Sequence, residues 1–332
     1  MDSSVNGTAR PTCNRRTRRV CLALTAVLCW TLVSCGTAPG GEAPEDVLQR
    51  DAGILFSAAS DAVSEGHRIA VSVGPFWIFE KKPILSAHCG AAEEAPPNTL
   101  EAIALADTLG YDAVEIDVGP STEGTPFLMH DDYVDSTTNG SGYIGSLSDE
   151  SISSLQVNTA GYPEYSGQVL RVPTFEEAVR EVSAAGLVLN VDCSKSGWWD
   201  RAYAERVVRT VEDNGMIYRT FFVTRSAAVR ELILDICPHA CISWLYDPAD
   251  GIDGSIEMLR GYPNALLSVR DDYATDELIR RLNEAGVYYQ VYRVTDADRV
   301  EELAAAGVPM IEIQYQAGEE RTWTQLLKTH RN

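Results

Sequence analysis

Helical stretches and short apolar runs alternate along the chain from residue 84 onward, and glycine marks the change from one to the other. Four helical segments end at a glycine that stands a few residues before an apolar run: Gly110, Gly186, Gly286 and Gly307. Glycine readily adopts the left-handed backbone conformation that closes many helices, so each is a predicted helix stop. Helix starts are marked as well, because Thr174 stands three residues before Glu177 in the spacing of a capping box.

The apolar runs give nine candidate strands. They begin near Ile84, Ala113, Pro126, Leu187, Thr220, Ala240, Ala265, Val287 and Met310. Strands that alternate with helices imply a parallel sheet wrapped by helices, and their number favours an α/β (β/α)₈ TIM barrel over an open doubly wound sheet. The seven residues between Val118 and Pro126 are too few for a crossover helix. One strand therefore lies outside the barrel, or that junction is irregular.

Polar side chains at the ends of these strands suggest a site. Glu115 and Asp117 are two residues apart on one strand, so their side chains lie on the same face. His88 and His130 each follow an apolar strand. If those strands are parallel neighbours, their carboxyl ends meet at one rim of the barrel, and the four residues form a candidate metal-and-histidine site.

The N-terminus has the features of an export signal. Several arginines precede an apolar run from Val20 to Val33, and the order Leu32-Val33-Ser34-Cys35-Gly36 resembles a bacterial lipobox. We therefore expect residues 1–34 to be a signal peptide and Cys35 to be lipidated, which places the protein on the outer face of the cell membrane or in the periplasm. Residues 35–45 are a predicted tether, residues 46–83 a helical and apolar extension, and residues 84–332 the barrel domain.

The charge of the chain excludes some partners. Its formal net charge is −21, and five of its arginines lie in the first 34 residues, so the rest is more acidic still. An acidic surface argues against binding to nucleic acid or to anionic lipid headgroups, and leaves the lipid anchor as the predicted link to a membrane. The sequence makes no prediction of the oligomeric state.

Four cysteines remain after the signal segment and Cys35: Cys89, Cys193, Cys237 and Cys241. An exported compartment permits disulfides, so Cys237 and Cys241 either close a small loop or remain two unpaired core thiols. A zinc site needs more ligands than the segment from Cys237 to Cys241 offers.

An ordered set of motifs resembles the glycerophosphodiester phosphodiesterase family. The set comprises His88-Cys89-Gly90, Pro97-Asn98-Thr99, Glu115-Ile116-Asp117, His130-Asp131, Thr137-Thr138-Asn139-Gly140-Ser141-Gly142 and Val172-Pro173-Thr174-Phe175-Glu176-Glu177. The resemblance implies a (β/α)₈ barrel that hydrolyses a small phosphodiester or lipid headgroup. It also implies a divalent metal, Mg²⁺ or Ca²⁺, held by Glu115, Asp117 and Asp192, and His88 and His130 as the catalytic acid and base.

Two departures from the family concern the substrate. Cys89 stands where the family has an arginine expected to bind the phosphate, and Pro97 stands where it has a glutamate. A thiol supplies neither the permanent charge nor the forked donors of a guanidinium. The candidate substitutes, each near a predicted strand end, are Lys195, Arg225, Arg270 and Arg293.

Two alternatives to hydrolysis follow from these departures. One is a catalytically impaired barrel that binds a phosphodiester. The other is a phospholipase D-like lyase, because Asp192 and Lys195 are similar to the Asp-x-Lys pair of that group, with one residue more between them.

Overall fold

The computed structural model describes residues 83–262 and 264–314. The predicted signal peptide, Cys35, the tether and nearly all of the extension before the barrel lie outside these residues. Within the described ranges, no helix is both long enough and apolar enough to cross a membrane.

The described residues contain nine strands and eight α-helices. The strands are β1 (Ile84–Ala87), β2 (Ala113–Pro120), β3 (Pro126–Leu128), β4 (Val188–Asp192), β5 (Thr220–Thr224), β6 (Cys241–Leu245), β7 (Ala265–Arg270), β8 (Tyr288–Val294) and β9 (Met310–Ile313). The helices are α1 (Leu100–Leu109), α2 (Asp149–Ser153), α3 (Phe175–Ala185), α4 (Arg201–Asp213), α5 (Ala227–Ile236), α6 (Gly251–Arg260), α7 (Asp276–Ala285) and α8 (Ala297–Ala305).

Eight of these strands form a closed parallel barrel. The order is β1-β9-β8-β7-β6-β5-β4-β2, and the ring closes because β1 pairs with both β9 and β2. Helices follow the strands and pack on the outside, where their apolar faces and the outward-facing strand residues form the main hydrophobic core. The predicted TIM barrel is confirmed, because closure leaves no free sheet edge among its eight strands.

The ninth strand explains the short junction found in the sequence. β3 runs antiparallel to β2, with Val118 opposite Leu128, and a tight turn joins them in which the Ser121 amide donates to the Thr125 carbonyl at 3.0 Å. A hairpin needs only a few connecting residues, whereas a parallel pair needs a crossover. One strand therefore lies outside the barrel, as expected, and the condition that His130 follows a parallel barrel strand is not met, because it follows the second arm of this hairpin.

The helix boundaries follow the local signals. Gly110, Gly186 and Gly286 close their helices with positive φ angles of 109°, 77° and 64°. Thr174 accepts from the amide of Glu177, and the Glu177 side chain accepts from the amide of Thr174, which completes the capping box at the start of α3. These predicted stops and the predicted start are confirmed.

The side chains inside the barrel lie in three layers, because alternate residues of each strand face inward. The lowest layer is apolar and contains Ile84, Ala113, Val188, Phe221, Cys241, Leu266 and Met310, and Val223 of the next layer packs against it. The middle layer is polar and buried, and contains Ser86, Glu115, Asn190, Ser243, Ser268, Gln290 and Glu312. Two residues further along each strand, at the carboxyl ends, stand the residues of the candidate site.

Candidate active site

Three carboxylates meet at the upper rim of the barrel. Glu115, Asp117 and Asp192 each offer an oxygen, and these oxygens all lie within 4.8 Å of one another. The strands set this geometry, because Asp117 of β2 is paired in register with Asp192 at the end of β4. This neighbouring register places Asp192 beside the other two carboxylates.

Burial and mutual repulsion govern the charge of these carboxylates. Burial raises the pKa of Glu115 well above its usual range, and the nearby Asp117, Glu312 and Asp192 raise it further. Burial also raises the pKa of Asp192, and the Asp117 charge adds to the shift. The cluster therefore favours binding of a cation, because a positive charge lowers the free-energy cost of keeping several neighbouring buried carboxylates ionised.

The two predicted catalytic histidines lie beside the carboxylates. The rings of His88 and His130 are 6.4 Å apart, and His88 Nε2 is 4.0 Å from Glu115 Oε2. Burial lowers the pKa of His88 to about 4, although Asp117 opposes the shift. His130 Nδ1 donates to Asp131 Oδ1 at 2.7 Å, and Asp131 also accepts from the Ser136 hydroxyl at 2.5 Å. Asp131 thus orients His130.

Cys89 and Asn98 hold the carboxylates in place. The Cys89 amide donates to Glu115 Oε2 at 2.9 Å, and its thiol donates to Asp117 Oδ2 at 3.3 Å. The Asn98 amide group donates to Asp117 Oδ2 at 2.9 Å, while its carbonyl accepts from the Asp117 amide at 3.0 Å. Cys89 is buried, and its pKa lies well above the usual range because of burial and these acids. It is a protonated thiol that fills and orients the site.

Basic side chains lie around the same rim. Lys195 Nζ is 3.4 Å from Asp117 Oδ1 and 3.6 Å from Asp192 Oδ2. Arg293 lies at a β-bulge with a φ angle of 63°, and its guanidinium donates to the Gln314 side chain at 3.1 Å. Both cations lie close enough to His88 to lower its pKa. A β-bulge beside a site redirects a side chain. Here the bulge directs Arg293 toward His88.

Two further arginines stand at strand ends. Arg270 has the inward register of β7, but its guanidinium forms a two-pronged ion pair with Asp272, at 2.5 and 2.6 Å. Arg225 follows β5 and lies near Tyr292, as do Arg270 and Arg293. The structure therefore brings together all the predicted site residues of the barrel at one rim, with Arg270 already paired.

Glu312 is a site residue that the sequence analysis missed. It is buried in the middle layer, where it accepts a hydrogen bond from the Asn190 side chain at 3.0 Å. Burial raises its pKa to about 8, and Asp192 and Asp117 contribute. The alternation of Met310, Glu312 and Gln314 in the last strand was the available signal, because every second residue of a barrel strand faces inward.

Packing decides the exposure of two tryptophans and the state of two cysteines. Trp198 is fully buried against Tyr203 and Phe222, whereas the neighbouring Trp199 is exposed. Cys237 and Cys241 are both buried free thiols, so the disulfide is not formed.

The chain is similar to known proteins in sequence and in fold. The sequence model of the glycerophosphoryl diester phosphodiesterase family matches residues 88–231. A glycerophosphodiester phosphodiesterase of Caldanaerobacter subterraneus is 25% identical over 165 residues, which is 50% of this chain and 67% of that protein. Rat glycerophosphodiester phosphodiesterase 1 is 39% identical over 108 residues, and the matched part is only 32% of either protein.

Solved structures agree on the fold. A glycerophosphodiester phosphodiesterase of Agrobacterium tumefaciens superimposes with a TM-score of 0.61 at 22% identity, over 74% of this chain and 99% of that one. A phosphodiesterase of Oleispira antarctica, solved with the product sn-glycerol-3-phosphate, gives a TM-score of 0.63 at 22% identity, over 76% of this chain and 98% of that one.

The closed barrel with its acidic and histidine-bearing rim, together with these relatives, defines a phosphoric diester hydrolase of the TIM-barrel type. More narrowly, residues 88–231 match the glycerophosphoryl diester phosphodiesterase family, and the chain is similar to members of that family in sequence and in fold.

Proposed function

We propose that this protein is an exported, lipid-anchored and metal-dependent phosphodiesterase that hydrolyses glycerophosphodiesters or related lipid headgroup diesters. The observation that carries the proposal is the meeting of three carboxylates within 4.8 Å beside two histidine rings 6.4 Å apart. The product found in the Oleispira antarctica relative supports sn-glycerol-3-phosphate as one product here.

The residues that would hold the metal are Glu115, Asp117 and Asp192. They fit a hard divalent cation such as Mg²⁺ or Ca²⁺, because they offer carboxylate oxygens only and because Lys195 brings a single positive charge to three acids. Such an ion, when bound, neutralises negative charge on the phosphoryl group. Asn98 and the Cys89 amide keep two of the carboxylates oriented toward it.

The histidines supply proton transfer. One accepts the proton of the attacking water, and the other protonates the departing alcohol. The bond to Asp131 occupies His130 Nδ1 and leaves Nε2 for this role. His88 Nε2 lies 4.0 Å from Glu115 Oε2, so a phosphate held at the carboxylate cluster would lie within reach of the first histidine.

Cys89 stands where the family has a phosphate-binding arginine. We assign phosphate binding in this protein to Arg293, Lys195 and Arg270 instead. Arg293 is redirected by the bulge, and both it and Lys195 act electrostatically on His88. Arg270 can exchange its ion pair with Asp272 for one with the phosphate, because an exposed ion pair of this kind contributes at most about 1 kcal/mol to stability. A guanidinium matches two phosphate oxygens at once, which a lysine does not.

The test is a release assay with mass-spectrometric detection of both products. Substrates are glycerophosphocholine, glycerophosphoethanolamine and lysophosphatidylcholine, each with Mg²⁺, Mn²⁺, Ca²⁺ or EDTA. We expect metal-dependent release of the alcohol, and a loss of about 100-fold or more in Glu115→Gln and His130→Ala. Asp132→Asn removes an exposed carboxylate of the same loop and retains activity. Turnover that survives both Glu115→Gln and EDTA would contradict the proposal.

The roles of the two histidines are separable with an activated substrate. A nitrophenyl diester has a leaving group that needs no protonation. The histidine that acts as the acid is therefore the one whose alanine variant recovers most activity on this substrate, and the variant of the base stays impaired on both substrates. Equal recovery of His88→Ala and His130→Ala would reject a division of labour.

A specific observation favours the impaired-barrel alternative. The Lys195 ammonium lies 3.4 Å from Asp117 Oδ1 and 3.6 Å from Asp192 Oδ2, so a metal has to compete with it for two of the three carboxylates. Binding of glycerophosphocholine without any turnover would support this alternative. A cyclic phosphate as the first product would instead support the phospholipase D-like lyase.

The membrane anchor has its own test. We expect the full chain expressed in a bacterium to fractionate with membranes and to incorporate labelled fatty acid, whereas Cys35→Ser abolishes both. Cys29→Ser, in the predicted signal peptide, is the matched control and leaves both unchanged. Membrane association that persists in Cys35→Ser would exclude lipidation at this residue.

A further inference from the structure

A second group of metal-ligating side chains lies at the end of the barrel opposite the candidate active site. Glu212 is near the end of α4, Cys237 directly follows α5, and His239 lies in the turn before β6. A carboxylate oxygen, the sulfur and an imidazole nitrogen of these residues all lie within 4.8 Å of one another. The turn before β6 is at the amino end of the barrel, whereas the catalytic carboxylates are at the carboxyl end.

The donor set differs from that of the candidate active site. Oxygen, nitrogen and sulfur donors together suit Zn²⁺, which binds cysteine, histidine and carboxylate ligands, whereas Mg²⁺ and Ca²⁺ prefer oxygen alone. The sequence segment from Cys237 to Cys241 has too few ligands, but the fold adds Glu212 from a different helix. Cys241 does not join them, because its side chain packs in the lowest apolar layer of the barrel.

The surrounding contacts fix the backbone at Cys237 and His239 and the ring of His239. The Cys237 amide donates to the Ile233 carbonyl at 2.8 Å, and the Asn264 side chain donates to the His239 carbonyl at 3.0 Å. The His239 ring stacks on Tyr218 with centroids 5.8 Å apart and planes 20° apart. A ligand set fixed in this way loses little conformational entropy when it binds an ion.

Burial shapes the chemistry of the thiol. Cys237 is buried, and burial together with the Glu212 carboxylate raises its pKa to about 12. The metal-free protein therefore holds a protonated thiol, and a bound ion takes the place of that proton. Glu212 is half-buried and forms an ion pair with Arg209, which orients its carboxylate.

We propose that Glu212, Cys237 and His239 form a zinc site that ties α4 to the turn before β6. Three protein ligands leave one position of the tetrahedron for water. The site lies away from the catalytic rim, so its role is to stabilise the amino end of the barrel. It does not depend on the proposed phosphodiesterase activity.

The experiment uses the full chain, stripped of metal and carrying Cys89→Ser, because His88, Cys89 and Glu115 also lie within 4.8 Å of one another. Co²⁺ is added as the probe, and the thiolate-to-cobalt charge-transfer band is followed. We expect one equivalent to produce the band and Zn²⁺ to displace it. A large excess of Zn²⁺ raises the Tm by about 5 °C or more.

Matched variants decide the outcome. Cys237→Ser abolishes the band, whereas Cys241→Ser, which removes the neighbouring core thiol, retains it. His239→Gln and Glu212→Gln weaken Zn²⁺ binding by roughly tenfold or more, in line with the loss of a ligand. Far-ultraviolet circular dichroism verifies folding, and His239→Gln provides the test if Cys237→Ser does not fold. The proposal is overturned by the absence of a band, by a band that persists in Cys237→Ser, or by unchanged Zn²⁺ affinity in His239→Gln.

Discussion

Replacing Lys195 by methionine removes the positive charge that lies among the site carboxylates but retains most of the side-chain volume. In the metal-free protein the ammonium is 3.4 Å from Asp117 Oδ1 and 3.6 Å from Asp192 Oδ2. Asp117 is almost fully buried, with 2% of its side chain exposed, so solvent screens this contact poorly. We expect the variant to be less stable without metal and to bind Mg²⁺ or Ca²⁺ more tightly.

The magnitude follows from these distances. Coulomb's law at an effective dielectric constant of about 20 gives roughly 5 kcal/mol for each contact before desolvation and side-chain entropy are subtracted. Those costs cancel most of the attraction, and 22% of the lysine side chain is exposed, so we expect a net loss of about 2 kcal/mol. For a domain of this size the loss lowers the Tm by about 4–8 °C.

The assay is thermal unfolding in EDTA and in a metal series, together with a direct titration of metal affinity. The lysine ammonium and a divalent cation compete for the same carboxylates, so its removal strengthens metal binding by roughly tenfold. Arg180→Met, which breaks an exposed ion pair with Glu176, serves as the control and changes stability by less than about 1 kcal/mol. An unchanged Tm in EDTA together with unchanged or weaker metal affinity would refute this account.

Two further predictions concern the frame of the site. Arg171 lowers the pKa of Glu177 to about 2. A carboxylate with a lowered pKa in the folded state stabilises the fold at pH values above its unfolded-state pKa, and this stabilisation is lost as the pH falls through the folded-state pKa. Glu177→Gln therefore costs about 1 kcal/mol in urea unfolding at pH 7, and the cost shrinks as the pH falls from about 4 to about 2. Gly90→Ala places a Cβ 2.7 Å from that of Ala102 and costs about 2 kcal/mol more than Gly124→Ala, which shares the positive φ without a clash. Equal losses in the two glycine variants would reject the steric argument.

The fold was readable from the sequence because a parallel barrel is built from repeated local units. The outward faces of these strands and their inward-facing residues at the amino ends are apolar, so the strands stand out as short apolar runs. The stops at Gly110, Gly186 and Gly286 and the capping box of α3 depend on neighbouring residues only, and they were predicted correctly. The last described helix ends two residues before Gly307, with Ala306 as its cap. The role of β3 was harder to predict, because a short apolar run reads the same in a parallel strand and in a hairpin arm.

The candidate site was predictable as far as its motifs are local. Glu115 and Asp117 share a strand, so their proximity follows from a period of two residues. The part that was missed depends on long-range pairing. Glu312 meets Asn190 only because the barrel closes, and Glu212 meets Cys237 only because two helices pack side by side. Arg293 depends on a bulge that local sequence does not mark.

Barrel closure also has a consequence for the order of folding. β1 and β9 are the first and last described strands, and the His88 amide donates to the Ile313 carbonyl at 3.1 Å. Pairing between such distant segments carries the largest loop-closure entropy and is expected late, whereas the hairpin with Glu115, Asp117 and His130 forms from local contacts. A newly made chain therefore assembles most of its reactive groups early, but it acquires a fixed His88 only when the last strand docks.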